Sequence, residues 1–171
     1  MKTLYVLRHA KSSWADPDSA DLDRPLAPRG ERAAMVMGRY IAQQDMIPEL
    51  ILCSTARRAV ETRAAVVGQW PAVPPTEFDE ALYLAGATGV IRRLARVDAA
   101  IGGMLVIGHN PDLHALTVGL AKVGPADLID MVAGRFPTGA FAALTLPIER
   151  WDAISEAAGT LTDFVVPKML V

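Results

Sequence analysis

The chain has 171 residues, of which 51% are hydrophobic and 21% charged, a composition that predicts one globular domain over residues 1–171 and argues against a disordered chain. Its 17 Lys and Arg nearly balance 19 Asp and Glu, and the net charge of -2 argues against a nucleic-acid-binding surface and limits any anion site to a local basic cluster. The single cysteine excludes an internal disulfide and a cysteine-rich zinc site and favours a cytoplasmic location. No apolar run approaches the ~20 residues of a membrane-spanning helix, so no membrane association is expected.

Predicted strands and helices alternate along the chain. In order they are strand 3–7, helix 30–44, strand 50–53, helix 56–70, an extended segment at 76–78, helix 89–100, strand 104–107, helix 110–121 and strand 139–146. The start of the chain is predicted to be a buried strand rather than a signal peptide, because charged residues interrupt its apolar run. Asn110 is the predicted N-cap of its helix with Pro111 at the first helical position, and residues 151–171 are expected to contain a strand and a loosely packed tail.

This alternation predicts an α/β fold: a three-layer α/β/α sandwich around a mostly parallel central sheet. In such sheets, ligands bind beyond the carboxyl ends of the strands. Three predicted strands end in polar clusters. These clusters are Arg8-His9-Ala10-Lys11-Ser12, Ser54-Thr55-Ala56-Arg57-Arg58 and Gly108-His109-Asn110. Two histidines and at least two arginines are therefore expected at the same edge, where buried charges are costly unless they serve a ligand.

Such a set suits phosphoryl transfer through a histidine. A neutral imidazole nitrogen can attack phosphorus, and arginine guanidinium groups match phosphate oxygens with forked donors. A second histidine can donate a hydrogen bond to an oxygen of the transition state. These residue types at one sheet edge therefore predict a phosphate-handling site without a metal or another cofactor.

The same residues carry a resemblance to a known family. Arg8-His9-Ala10-Lys11-Ser12 resembles the Arg-His-Gly signature of the histidine phosphatase superfamily, which has the phosphoglycerate-mutase-like fold, in its small SixA-like phosphohistidine phosphatase branch. The similarity continues through residues 21–30, 54–62, 106–111 and 136–140, in order along nearly the whole chain. Ala10 departs from the family's glycine and is expected to be tolerated if its φ angle is negative.

The resemblance implies a role for each matching residue. His9 would be the nucleophile that forms a covalent phosphohistidine, Arg8 and Arg58 would bind the phosphoryl group, and His109 would be the second pocket histidine. Glu80 is the candidate proton donor by position, although some members of this branch have no evident acid there. Asn110 is a further candidate for contact with substrate, and Lys11 and Ser12 are expected either to contact substrate or to satisfy the hydrogen bonds of the loop.

The implied activity is hydrolysis of phosphohistidine on a protein, or of a small phosphate monoester. The chain lacks long insertions that would cap a sugar-phosphate pocket, which favours a protein-borne substrate over a mutase-like role. A phosphate-binding or phosphoprotein-docking module without catalysis remains an alternative, and the oligomeric state stays open.

Other interpretations of single residues compete with these roles. A metal site of His9, His109 and His114 would place a cation beside two arginines, and no glycine-rich loop predicts a nucleotide site. His114 is expected to be partly exposed, Arg57 to be solvated or ion-paired, and Cys53 to be a buried packing residue.

Overall fold

A computed structural model describes residues 1–171 and contains one sheet of seven strands. The strands are β1 (Lys2–Arg8), β2 (Leu50–Ser54), β3 (Thr76–Asp79), β4 (Gly103–Gly108), β5 (Ala121–Val123), β6 (Phe141–Leu146) and β7 (Gly159–Val165). Their order across the sheet is β3-β2-β4-β1-β6-β7-β5, and β6 alone runs antiparallel to its two neighbours. The predicted mostly parallel sheet is confirmed.

Helices cover both faces of the sheet. They are α1 (Pro28–Gln43), α2 (Arg57–Val67), α3 (Gly86–Leu94), α4 (Asp112–Leu120) and α5 (Ala126–Gly134), with short 3-10 helices at Asp21–Asp23, Glu80–Leu82, Trp151–Glu156 and Pro167–Leu170. Helices α1 and α2 pack on one face in a cluster of 16 buried hydrophobic residues, and α3, α4 and α5 contribute to a cluster of 26 on the other. The α/β/α sandwich is confirmed.

The local sequence explains how α1 begins and packs. Pro28 occupies its first turn, where the missing N–H leaves no hydrogen bond unmade. Ala34, Met37 and Ile41 follow at helical spacing and are buried against the sheet. Gly38 lies against the backbone of α2, where a Cβ atom would come within 2.5 Å of the Val66 carbonyl oxygen. The close approach of α1 and α2 therefore requires glycine.

The structure differs from the sequence prediction between β4 and β6. Helix α4 begins at Asp112 rather than Asn110, because the Asn110 side chain donates its Nδ2 hydrogen to the Phe136 carbonyl oxygen at 2.7 Å instead of capping the helix. Two elements that the sequence analysis did not predict, β5 and α5, follow α4. Strand β5 has only three residues and is at least partly exposed throughout, whereas α5 carries apolar residues at helical spacing, with Val132 buried and Leu128 and Ile129 packed beside it, a pattern that the sequence analysis did not use. No helix combines the length and the apolar character that crossing a membrane requires.

Candidate active site

The predicted site residues lie at the carboxyl ends of three adjacent strands, β2, β4 and β1. Arg8 ends β1, Ser54 ends β2 and His109 directly follows β4. Because these strands are parallel, their ends meet at one edge of the sheet. A pocket of about 250 Å³ opens there, lined by Arg8, His9, Lys11, Ser12, Trp14, Arg24, Arg58, His109, Asn110 and Thr138.

Seven of the eight residues that the sequence analysis selected line this pocket, and Glu80 does not. Glu80 begins the 3-10 helix after β3, at the same sheet edge but one strand further out than β2. Its side chain is exposed and forms no ion pair. The structure therefore does not bring Glu80 together with the two histidines.

Both ring nitrogens of His9 have a partner: Nδ1 contacts the Ala10 carbonyl, and Nε2 accepts a hydrogen bond from Nε of Arg58 at 3.4 Å. Its side chain is buried, and Nδ1 lies 2.7 Å from the Ala10 carbonyl oxygen. Because a carbonyl can only accept, Nδ1 carries the ring proton and Nε2 keeps its lone pair. Burial, together with the positive charges nearby, lowers the pKa of His9 from 6.5 to about 3. His9 is therefore a neutral imidazole at neutral pH, and its ring lone pair lies on Nε2.

His109 lies beside His9, with ring centroids 5.2 Å apart. Its Nε2 is 2.7 Å from the Ser54 hydroxyl, and its Nδ1 is 3.3 Å from Nη2 of Arg58. Burial and the charge of Arg58 lower the pKa of His109 to about 4. Because a guanidinium group can only donate, Nδ1 accepts from Arg58 and Nε2 carries the ring proton, which it donates to the Ser54 oxygen.

Two arginines bring positive charge to the histidines. Arg58 is buried, and its Nε lies 3.4 Å from Nε2 of His9. Arg8 donates from Nη1 to the Phe136 carbonyl oxygen at 3.1 Å, while its buried Nε has no partner. Burial and the nearby charge of Arg58 lower the pKa of Arg8. Two guanidinium groups that repel each other, one buried and one partly buried, reduce the stability of the fold. A bound anion would offset this cost, so the arrangement is suited to an anion-binding site.

Five side chains in or beside the pocket were missed as functional candidates: Trp14, Asp21, Arg24, Tyr83 and Thr138. The Asp21 carboxylate accepts from Arg58 Nη2 at 3.1 Å and from Arg24 Nη2 at 3.0 Å, and the Tyr83 hydroxyl donates to it. Bonds from Tyr83 and the two arginines lower the pKa of Asp21 to about 2. The stretch 21–24 belongs to the segment that resembles the family, but its loop position gave no indication that it folds over the pocket.

Residues with other predicted roles lie where the sequence analysis expected them. His114 lies outside the pocket, with Nε2 at 2.7 Å from the Val132 carbonyl oxygen, and no three His, Cys, Asp or Glu side chains group as metal ligands would. Arg57 is exposed and pairs with Glu61, and Cys53 is fully buried, as predicted. Ala10 does not adopt a positive φ, so its methyl group is tolerated, as expected.

Comparison with known proteins identifies the family. The model of the histidine phosphatase superfamily (branch 1) matches residues 4–83. An uncharacterized protein of Mycobacterium tuberculosis is 35% identical over 164 residues, which cover 95% of this chain and 100% of that protein. Among solved structures, a protein from Nakamurella multipartitia assigned as phosphohistidine phosphatase SixA superposes with a TM-score of 0.84 at 28% identity, covering 97% of this chain and 96% of its own.

A second structure leads to the same family. A protein from Agrobacterium tumefaciens, also assigned as phosphohistidine phosphatase SixA, has a TM-score of 0.80 and 27% identity and covers 97% of this chain and 98% of its own. Together with the family model, these matches support a phosphatase with a phosphoglycerate-mutase-like fold. The chain belongs to the histidine phosphatase superfamily, in its SixA-like branch.

Proposed function

We propose that this protein is a metal-independent phosphohistidine phosphatase that works through a covalent phosphohistidine on His9. The observation that carries the proposal is the state of His9, whose Nδ1 is fixed by the Ala10 carbonyl while Nε2 keeps its lone pair beside two arginines. The two neighbouring structures assigned as SixA support the choice of substrate. A cytoplasmic location remains part of the proposal and rests on the single, buried cysteine.

In the first step, Nε2 of His9 attacks the phosphorus of the substrate. The new bond joins Nε2 to phosphorus, and the phosphorus–nitrogen bond of the substrate breaks. The other ring nitrogen of the substrate phosphohistidine first takes a proton from solvent, and the imidazole then departs as a neutral ring. No acid in the pocket is needed for this departure, which agrees with the position of Glu80 outside it and with the ionised state of Asp21.

In the second step, water attacks the phosphorus of phospho-His9. The phosphorus–Nε2 bond breaks, inorganic phosphate leaves and His9 returns to its neutral form. Arg8 and Arg58 stabilise the phosphoryl oxygens in both transition states, and the unpartnered Nε of Arg8 supplies a donor that no protein group occupies. His109 accepts from Nη2 of Arg58 through Nδ1 and donates from Nε2 to Ser54, so it orients Arg58 toward the same phosphoryl group.

Intact-mass measurement tests the covalent step. The protein is mixed with a small phosphoramidate in the presence of a chelator and quenched at alkaline pH. We expect one acid-labile phosphoryl group on the native chain, none on His9→Ala and a longer-lived adduct on His109→Ala. His114→Gln, which changes a histidine outside the pocket, is the matched control and should behave like the native chain.

Two outcomes would contradict the proposal. The protein would be a binding module instead if it binds phosphate but neither forms an adduct nor releases phosphate, and if His9→Ala still binds. Loss of activity with chelator, restored by a divalent metal, would contradict metal independence.

Glu80 separates two substrate classes. An alkyl phosphate needs a proton on its leaving oxygen, whereas a protonated phosphohistidine does not, so a carboxyl group at this sheet edge, such as Glu80, matters for the alkyl ester alone. We expect Glu80→Gln to slow hydrolysis of the alkyl ester glycerol 2-phosphate more than hydrolysis of a phosphohistidine peptide, as measured by kcat/KM. If native kcat/KM is higher for the ester, a small phosphomonoester becomes the favoured substrate class.

A further inference from the structure

Two grooves continue from the candidate active site across the surface. The first, of about 630 Å³, shares Lys11 and Thr138 with the catalytic pocket. It also contains Arg29, Arg135 and Lys168. The second, of about 430 Å³, shares Arg29 and Lys168 with the first and extends along α1. The pocket and both grooves therefore form one continuous surface.

Basic side chains dominate this surface. We call it the basic strip, and it consists of Lys11, Arg29, Arg32, Arg39, Arg135 and Lys168. None of these six side chains forms an ion pair, and no Asp or Glu lines either groove, while Asp130 lines a third groove that shares Arg135 and Lys168 with the first. In a chain whose net charge is -2, six unpaired cations along adjoining grooves leave a local positive potential that the fold itself does not use.

The length of the strip indicates the size of the partner. Arg29, Arg32 and Arg39 lie along one stripe of α1, at spacings of three and seven residues. At the ~1.5 Å rise per residue of an α-helix, the ten steps from Arg29 to Arg39 span roughly 15 Å. Lys11 extends the strip further, to the catalytic pocket. This length exceeds a small phosphorylated metabolite and fits a macromolecular surface.

Charge also indicates the class of macromolecule. A nucleic acid or an anionic membrane presents a dense negative field and is repelled at a distance by a protein of net negative charge. A protein surface with a few carboxylates matches a narrow basic strip much better. Val166, Pro167 and Ala33 line the first groove between the cations and offer apolar contact to such a surface.

We propose that the basic strip binds an acidic surface of the phosphoprotein whose phosphohistidine enters the catalytic pocket. This inference rests on the proposed function and extends it to partner recognition. The phosphorylated side chain reaches His9 through the small pocket, while carboxylates next to it on the partner contact Arg29, Arg135 and Lys168. The strip thus selects which phosphohistidine is hydrolysed, by steering and orienting the carrier protein.

Peptide substrates test the proposal. Two histidine peptides are phosphorylated with phosphoramidate, one with Glu and the other with Gln on both sides of the histidine, and kcat/KM is measured for each and for phosphoramidate alone. We expect a preference of about tenfold for the acidic peptide at low ionic strength, which declines as salt is added. Phosphoramidate carries no carboxylates and serves as the reference for the chemical step.

A charge-matched pair of variants locates the effect. Arg29→Gln, Arg135→Gln and Lys168→Gln combined should reduce the acidic-to-neutral ratio to about one. Arg92→Gln, Arg96→Gln and Lys122→Gln combined remove the same charge at exposed positions outside both grooves and should retain the native ratio. An equal loss in both variants would mean that net charge, not the strip, sets the preference, and would overturn the proposal.

The remaining outcomes separate the two levels of inference. If both peptides and phosphoramidate are hydrolysed and the native ratio is near one, the strip is not a docking surface and the proposed function stands. If none of the three is hydrolysed, the proposed function fails and the docking inference with it. Single-stranded RNA and vesicles of anionic lipid are tested for binding as well. If either binds the native chain more tightly than the acidic phosphopeptide does, and the combined Arg29, Arg135 and Lys168 variant abolishes that binding, the strip binds a polyanion and the proposal is overturned.

Discussion

Asp21 places a negative charge among the arginines that are expected to hold phosphate. Its carboxylate contacts Arg58 and Arg24, and its backbone oxygen accepts from Nη1 of Arg58 at 2.6 Å. The carboxylate repels an incoming dianion and also holds Arg58 in place. The backbone bond to Arg58 does not depend on the side chain, so we expect the repulsion to dominate.

The Asp21→Asn variant measures this balance. Asparagine keeps the size and one oxygen acceptor but removes the charge, so vanadate, a phosphate analogue, should inhibit the variant at concentrations about threefold to tenfold lower. Asp23→Asn is the control, because Asp23 belongs to the same 3-10 helix and forms no ion pair. Weaker inhibition of Asp21→Asn would mean that positioning of Arg58 outweighs the repulsion.

The buried His109 makes stability depend on pH. The pKa of His109 is about 4 in the folded chain and 6.5, the ordinary value for histidine, in the unfolded chain. Between these values the unfolded chain binds a proton that the folded chain does not, so the free energy of unfolding falls as the pH drops from about 7 toward 4. Replacing His109 by Asn, which keeps a donor for Ser54, should remove about 2–3 kcal/mol of the loss between pH 7 and pH 4.5. Urea unfolding at several pH values measures this, and parallel curves for the two proteins would contradict it.

At the scale of elements, the start of α1 holds the pocket loop. The Ala27 N–H donates to the Lys11 carbonyl oxygen at 2.9 Å, and a Cβ atom on Gly30 would lie 2.1 Å from that same oxygen. This close approach involves backbone on both sides, which cannot move away as a flexible side chain would. Gly30 therefore fixes the distance between α1 and the segment that carries Lys11 and Ser12.

The Gly30→Ala variant should lose both stability and activity. The clash must displace the loop or the helix, at a cost of about 1–3 kcal/mol in the free energy of unfolding, and kcat/KM should fall because Lys11 and Ser12 move. Gly119→Ala on α4 is the matched control, since no atom lies within 4 Å of its added Cβ, and helix propensity should make it neutral or more stable by up to about 1 kcal/mol. Equal effects of both variants would mean that the contact with Lys11 is not limiting.

The sequence predicts some elements well and others poorly, for physical reasons. Strands β1, β2, β4 and β6 are buried and strongly apolar, so hydrophobic runs predict them together with the histidines and arginines at their ends. The residues around the pocket that were missed come from loops, as Trp14 and Arg24 do, from the short 3-10 helix between them, as Asp21 does, or from the segment after β3, as Tyr83 does. Periodicity does not encode the path of such segments, and the same holds for Glu80, which lies outside the pocket lining.

At the scale of the whole molecule, one sheet carries two hydrophobic clusters. Ile51 and Leu52 are neighbours on β2, yet Ile51 packs with α1 and α2 while Leu52 packs with the cluster on the opposite face. Because every central strand contributes to both clusters, loss of packing on one face should destabilise the other. This coupling is the basis for proposing that residues 1–171 unfold as a single domain.

Two tryptophans report separately on the two faces. Trp70 belongs to the cluster around Ile51, and Trp151 to the cluster around Leu52. In proteins with one of them retained and the other tryptophans replaced by Phe, fluorescence in urea should give the same midpoint for either probe. Ile51→Ala should lower the urea midpoint seen by either tryptophan to the same extent, because it reduces the free energy of unfolding by about 2–5 kcal/mol. Leu52→Ala should have the same effect. If Ile51→Ala shifts the Trp70 midpoint alone, the two faces unfold independently and the single-domain prediction is wrong.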